Sequence, residues 1–138
     1  MNNFQMAGLP AMMVNIRKRG KQMVDEIEKG LYQETQVEAT EVKRRTPVWN
    51  PARALPHGHT PGSLRASVHV VGPIRTGNTI YTLIAAGGPS APYAVYVHED
   101  LDALHASGQA KFIESVILES RAYMAQRVLK RVRLNNVP

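Results

Sequence analysis

Ile16, Gly20, Met23, Ile27 and Leu31 recur at three- to four-residue spacing, and the period continues less cleanly through Thr35, Ala39 and Val42. No proline interrupts this stretch, so the pattern predicts one long amphipathic helix over about Ala11 to Arg45. Asp25 with Lys29, Glu34 with Glu38, and Glu41 with Arg45 are assigned to its outer face, where the middle pair repels and the others attract. Thr46-Pro47 ends the helix, because a residue before proline is pushed out of the α region. Met1 to Pro10 has no clear period and is expected to be a mobile arm.

Further along, the period shortens. Ser67 to Val71 and Thr79 to Ala86 read as two strands of an antiparallel hairpin, punctuated by Gly72-Pro73 and Gly77-Asn78 and joined by a loop longer than the tight two-residue type. Ile80, Thr82 and Ile84 fall on one side of the second run and Tyr81, Leu83 and Ala85 on the other. Both faces are therefore largely apolar, and either a helix covers each or a neighbouring chain does. Tyr93 to His98 also alternates and is β-branched or aromatic at most positions, which predicts a third strand. Glu99 to Ser107 reads as an exposed acidic loop. A last helix is expected from an N-cap near Ser107, carrying Phe112, Ile113, Val116, Ile117, Ser120, Tyr123, Met124 and Val128 on one face. The whole is one α+β domain over residues 1–138.

The first helix raises a question of size. At about 1.5 Å per residue it extends about 50 Å, whereas a compact chain of this length is roughly 35 to 40 Å across. Either Gly20 or Gly30 breaks it, at about 1 kcal/mol each in propensity, or the overhang packs on another subunit.

Composition narrows the chemistry. The 138 residues include no cysteine, which removes disulfides, thiolate nucleophiles and cysteine-held metals. No apolar run approaches the length of a membrane span and Met1 to Gly8 lacks the form of a signal peptide, so a soluble, uncleaved chain is expected, with no membrane partner. The net charge of +6 and pI near 9.9 favour a polyanionic neighbour. The cations cluster as Arg17, Lys18, Arg19 and Lys21; Lys43, Arg44 and Arg45; and Arg127, Lys130, Arg131 and Arg133. The first and last clusters are candidate DNA-facing residues, although cations near helix C-termini also serve the helix dipole.

The stretch Val48 to Gly62 is rich in proline and resists regular structure, as functional or disordered loops do. It holds Trp49, Arg53, His57 and His59. Trp49 is either an interface anchor or a side chain folded back over the core edge. His57 and His59, with His98, Glu99, Asp100 and His105 elsewhere, invite a metal reading, but the spacing matches no known ligand pattern. Glu99, Asp100 and Asp102 lack an apolar setting that would separate their pKa values for acid-base work. Gly87-Gly88-Pro89-Ser90 has neither a phosphate-loop lysine nor a nucleophile elbow. No catalytic constellation emerges, and neither cofactor nor metal is expected.

Several words of this sequence, taken together, resemble a family. Thr46-Pro47-Val48 followed by Gly62-Ser63-Leu64-Arg65-Ala66-Ser67 is similar to a TPV(D)TGxLRxS pattern split by an insertion over Trp49 to Pro61. Tyr93 to Glu99 followed by Gly108-Gln109-Ala110-Lys111-Phe112-Ile113-Glu114 is similar to that family's tyrosine-rich segment and GQAKFLE-like helix start. The order resembles tailed-phage head-tail joining, tail-completion, tail-terminator or minor capsid proteins, over roughly Val42 to Glu119.

The resemblance implies an α+β subunit whose small antiparallel sheet, of roughly three to four strands, is flanked by a long N-terminal helix and a C-terminal helix. It implies a non-enzymatic virion protein, made in the bacterial host cytoplasm, that forms a homo-oligomeric ring at the neck. Six copies would suit a tail terminator and twelve a connector or head-closure layer, with six favoured by analogy to the tail tube. Such a ring would join connector to tail-tube proteins and surround DNA without reading its sequence. Trp49, Arg53, His57, His59, Glu99, Asp100, Asp102 and His105 would then lie on docking loops. A basic nucleic-acid-binding protein using the first and last cationic clusters is the competing expectation, and a histidine-metal hydrolase a third.

Overall fold

The computed structural model describes residues 9–50 and 60–132. Its spine is α1, Leu9–Arg45, a single helix of 37 residues and therefore about 55 Å long. Neither glycine breaks it. A Cβ at Gly20 would meet nothing within 4 Å, whereas one at Gly30 would lie 3.2 Å from the Val128 carbonyl oxygen and 3.3 Å from the Arg131 Cβ. Gly30 is thus where a second helix crosses closely, and Gly20 sits on the overhang. The helix also starts before the expected Ala11, while the rest of the expected arm, 1–8, lies outside the described residues.

At its C-terminal end, the Thr46 amide and hydroxyl both donate to the Val42 carbonyl, at 2.8 and 2.7 Å, and Pro47 stops further turns. A short helix follows the loop, α2 at Ser63–Ser67, and its Arg65 guanidinium donates to the Thr46 carbonyl at 2.8 Å. The hairpin comes next, with β1 at His69–Thr76 and β2 at Thr79–Ala85. Thr76 pairs with Thr79, so the turn is the tight two-residue Gly77-Asn78, shorter than the sequence suggested. The reason is that Gly72-Pro73 does not end the first strand. Between the pairs Val71–Leu83 and Ile74–Tyr81, β1 carries two residues against one on β2, a bulge that absorbs a proline unable to donate to the ladder.

The third strand does not form. Ala94 to His98 lies instead in α3, Ala94–Glu99, with Tyr93 at its N-cap, and the sheet has two strands rather than three or four. Six residues of mixed apolar character satisfy either period. Helical spacing wins here by turning the buried Ala94 and the half-buried Val97 and His98 inward while Val95 and Tyr96 face out. Ala91, Pro92 and Tyr93 supply the entry, with the Ala94 amide bonded to the Ala91 carbonyl. The last helix, α4, runs Phe112–Arg131 and starts later than the Ser107 cap proposed from sequence. Gly108 and Lys111 both have positive φ, which reverses the chain before the helix can begin. Phe112, Val116, Ser120 and Val128 are buried along α4, but Ile117 and Tyr123 from the expected face are exposed.

The main core lies around the C-terminal end of α1. Val42, Leu64, Val68, Ala91, Ala94, Phe112 and Val116 form one buried cluster, with Ile84, Ala86, Tyr93, Val97 and Ile113 packed against it. The inner face of the hairpin adds Thr82, whose hydroxyl is 2.6 Å from that of Thr35 on α1. From Pro10 to Lys21 every described side chain is exposed.

Candidate interaction surfaces

Three polar assemblies hold the elements around α1. The first corrects the outer-face assignment of Glu34 and Glu38. Both carboxylates are only 4% exposed and lie beneath α4. Arg127 donates to Glu38 at 2.9 Å and Arg131 to Glu34 at 2.5 Å, so acids four apart on one helix meet cations four apart on the other. The burial was legible in principle, because Glu34 and Glu38 fall on the same side of the helix as Leu31, Thr35 and Val42.

The second assembly lies where α1 ends. Arg45 grips Glu119 with two nitrogens, at 2.8 and 2.6 Å, and also donates to Glu41 at 2.8 Å. Arg44 donates to Glu41 as well, at 2.8 and 2.6 Å. These arginines, Arg44 first, hold the Glu41 carboxyl down to about 2, and Arg45 lowers that of Glu119. The Arg45 guanidinium is raised in turn by Glu119 and Glu41. Arg44, Arg45, Gly108, Gln109 and Glu119 line an open groove of about 480 Å³. Its charges are satisfied by one another, and no nucleophile with an adjacent base lies among its lining residues.

The third assembly joins α3 to α4. Lys111 bonds Glu99 closely and reaches Glu114 at 3.0 Å, while its backbone amide donates to the His98 carbonyl at 2.7 Å. Lys111 first and His98 second lower the Glu99 carboxyl, and Glu99 then Glu114 raise the Lys111 ammonium. The His98 ring has Nδ1 2.7 Å from Glu99 and packs edge-on against Phe112, with centroids 4.9 Å apart.

The sequence words singled out above converge on this end of the molecule. Gly108 packs on the Arg45 carbonyl and Pro47, the Gln109 amide donates to the Arg45 carbonyl at 2.9 Å, and Arg65 caps Thr46. No family model, curated protein or solved structure matches the chain. The words nonetheless meet at this end of the molecule, three of them at the terminus of α1 and the Tyr93 to Glu99 segment through the core cluster that includes Val42 and through the Lys111 amide on the His98 carbonyl.

The other candidate residues are dispersed. Glu99 is exposed at the end of α3, and Asp100 and Asp102 are exposed on the α3–α4 connection, where Asp100 accepts from the Asp102 amide at 3.1 Å. His105 is half-buried, and its Nε2 has no hydrogen-bond partner among the described residues. Trp49 is exposed, and Arg53, His57, His59 and Arg133 lie outside the described residues. No three His, Asp or Glu side chains gather as a metal site among the described residues. Arg17, Lys18, Arg19 and Lys21 are exposed on the overhang of α1, and Lys130 is exposed on α4. Arg127 and Arg131, expected as DNA-facing, are engaged by the buried glutamates.

What remains open is apolar. Met12, Met13, Val14, Ile16, Met23 and Val24 are exposed along α1, with Ile16 at 59%. The outer face of the hairpin presents Val71, Tyr81 and Leu83 to solvent, so among the described residues no helix of the chain covers that side of the sheet. Around α3, Tyr96 is 78% and Leu104 99% exposed. None of the helices is long and apolar enough to cross a membrane among the described residues.

Proposed function

We propose that the chain is a structural subunit of a tailed-phage neck, a tail-terminator or tail-completion protein that closes a ring with copies of itself and joins the head connector to the tail. The observation that carries this reading is the overhang of α1. The 15 residues from Pro10 to Val24, all exposed but the half-buried Gln22, project past the core, and a helix of this kind gains stability chiefly by burying its apolar face. The bare outer face of the hairpin asks for the same remedy. A head-to-tail contact repeated around an axis covers such surfaces in every copy. Six copies suit a tail terminator, and twelve a connector layer.

The resemblance supplies the location, and the sharing of its words around the end of α1 supports treating them as fold determinants. The alternative of a small nucleic-acid-binding protein retains the Arg17 to Lys21 cluster but has Arg127 and Arg131 drawn into ion pairs. Immunogold labelling of virions from the encoding phage tests the proposal. Label at the head-tail junction is expected, and label elsewhere or none on the particle overturns it.

A further inference from the structure

Two exposed patches of this chain are complementary and cannot reach one another. The first is the overhang of α1, where Met13, Ile16 and Val24 share a side of the helix with the exposed cations Arg17 and Lys21. The second is the connection after α3, where Leu101 and Leu104 stand among Asp100 and Asp102, all exposed. That connection is anchored at both ends beside the C-terminus of α1, through the Lys111 amide on the His98 carbonyl and the Gln109 amide on the Arg45 carbonyl. Ile16 and Arg45 are about 40 Å apart along the helix, at about 1.5 Å per residue. The apolar residues and opposite charges of the two patches therefore lie at opposite ends of one rigid rod.

We propose that the overhang of α1 in one copy docks on the Asp100–Leu104 segment of a second copy, head to tail. Met13, Ile16 and Val24 would cover Leu101 and Leu104, while Arg17 and Lys21 face Asp100 and Asp102. Interleaved apolar side chains favour a protein partner over DNA on this stretch, since methionine and isoleucine offer nothing to a phosphate backbone. Like charges on each patch also oppose the two-fold alternatives, overhang on overhang or loop on loop. Two antiparallel copies could exchange this contact reciprocally and stop at a dimer, whereas a head-to-tail contact repeated with a rotation propagates until a ring closes. The inference rests on the ring reading above and specifies which surfaces close it.

The absence of cysteine makes the test direct. Ile16→Cys and Leu104→Cys, both at exposed positions, are prepared singly and together and treated with a short bis-maleimide cross-linker. The double variant should give a ladder of multimers, a mixture of the two single variants should give one linked dimer, and each single variant alone should give none. Adding Arg17→Glu and Lys21→Glu to the double variant should abolish the ladder, and adding Asp100→Lys and Asp102→Lys to that chain should restore it. Linked dimers from either single variant alone, products of the double variant that stop at the dimer, or no link between positions 16 and 104 at high protein concentration overturn the head-to-tail contact. Neck labelling of virions without this link would leave the ring reading standing and remove only its proposed seam.

Discussion

Gly108 lies so close to the end of α1 that a Cβ at this position would sit 2.6 Å from the Arg45 carbonyl oxygen and from the Pro47 nitrogen. Those atoms are backbone and cannot swing aside, and the residue has φ +82, which side-chain-bearing residues rarely adopt. Gly108→Ala should cost about 3 kcal/mol, combining left-handed backbone strain with overpacking. Gly20→Ala is the control: the site is open and helical, and the substitution should stabilise by about 0.5 to 1 kcal/mol. Urea midpoints of the two variants should move in opposite directions.

Arg131 covers Glu34, and removing the cation leaves a carboxylate under α4 with only the more distant Arg127, at 3.8 Å. Arg131→Ala should destabilise by about 2 to 3 kcal/mol, less than a fully buried pair would because the arginine itself is partly exposed. Replacing Glu34 and Arg131 together by methionine should cost less than Arg131→Ala alone, since no charge is then stranded. Denaturation of the single and double variants gives the comparison. A double variant weaker than Arg131→Ala would mean that the pair supplies net stability beyond masking each other's charge.

The long helix and the hairpin were legible because each repeats its period over enough residues to exclude the other. Tyr93 to His98 was not. Its alternation spans only six residues, and which period applies is set by Ala94 packing in the core, a tertiary fact. The start of α4 was missed for a related reason: Ser107 is a good cap in isolation, but the close approach of Gly108 to Arg45 and the left-handed Lys111 delay the helix to Phe112. Glu34 and Glu38 were assigned outward by charge alone, although the apolar face passes through them. Their arginine partners lie roughly 90 residues away, beyond any local pattern.

Acid should loosen the end of α1. Arg44 and Arg45 hold Glu41 at about 2, below the ordinary value of 4.5, and Arg45 lowers Glu119 in the same direction. A carboxyl whose folded pKa is depressed contributes fully above its unfolded value and loses that contribution as pH falls through the folded one. These groups therefore give no slope at neutral pH and a declining stability from about 4.5 down to about 2. The groups are solvent-accessible, so screening keeps the effect small. Glu41→Gln should flatten part of that decline in urea midpoints measured across the window, and an unchanged slope would show that Glu41 titrates alike in both states.

Lys111 is the one non-glycine residue with positive φ among the described residues, at 52°. Its side chain ties Glu99 to Glu114, but those ion pairs are exposed and screened by solvent, so they add little. The backbone strain, about 1 kcal/mol for an L-residue in this region, works against them. Lys111→Gly removes both and should leave stability nearly unchanged, whereas Lys111→Ala loses the pairs and keeps the strain. Glycine should therefore be the better tolerated replacement by about 1 kcal/mol, the reverse of their order inside a helix. Equal urea midpoints for the two variants would instead mean that the chain relaxes out of the left-handed region once the lysine's tethers are gone, so that Glu99 and Glu114, acting through Lys111, are what hold the turn before α4.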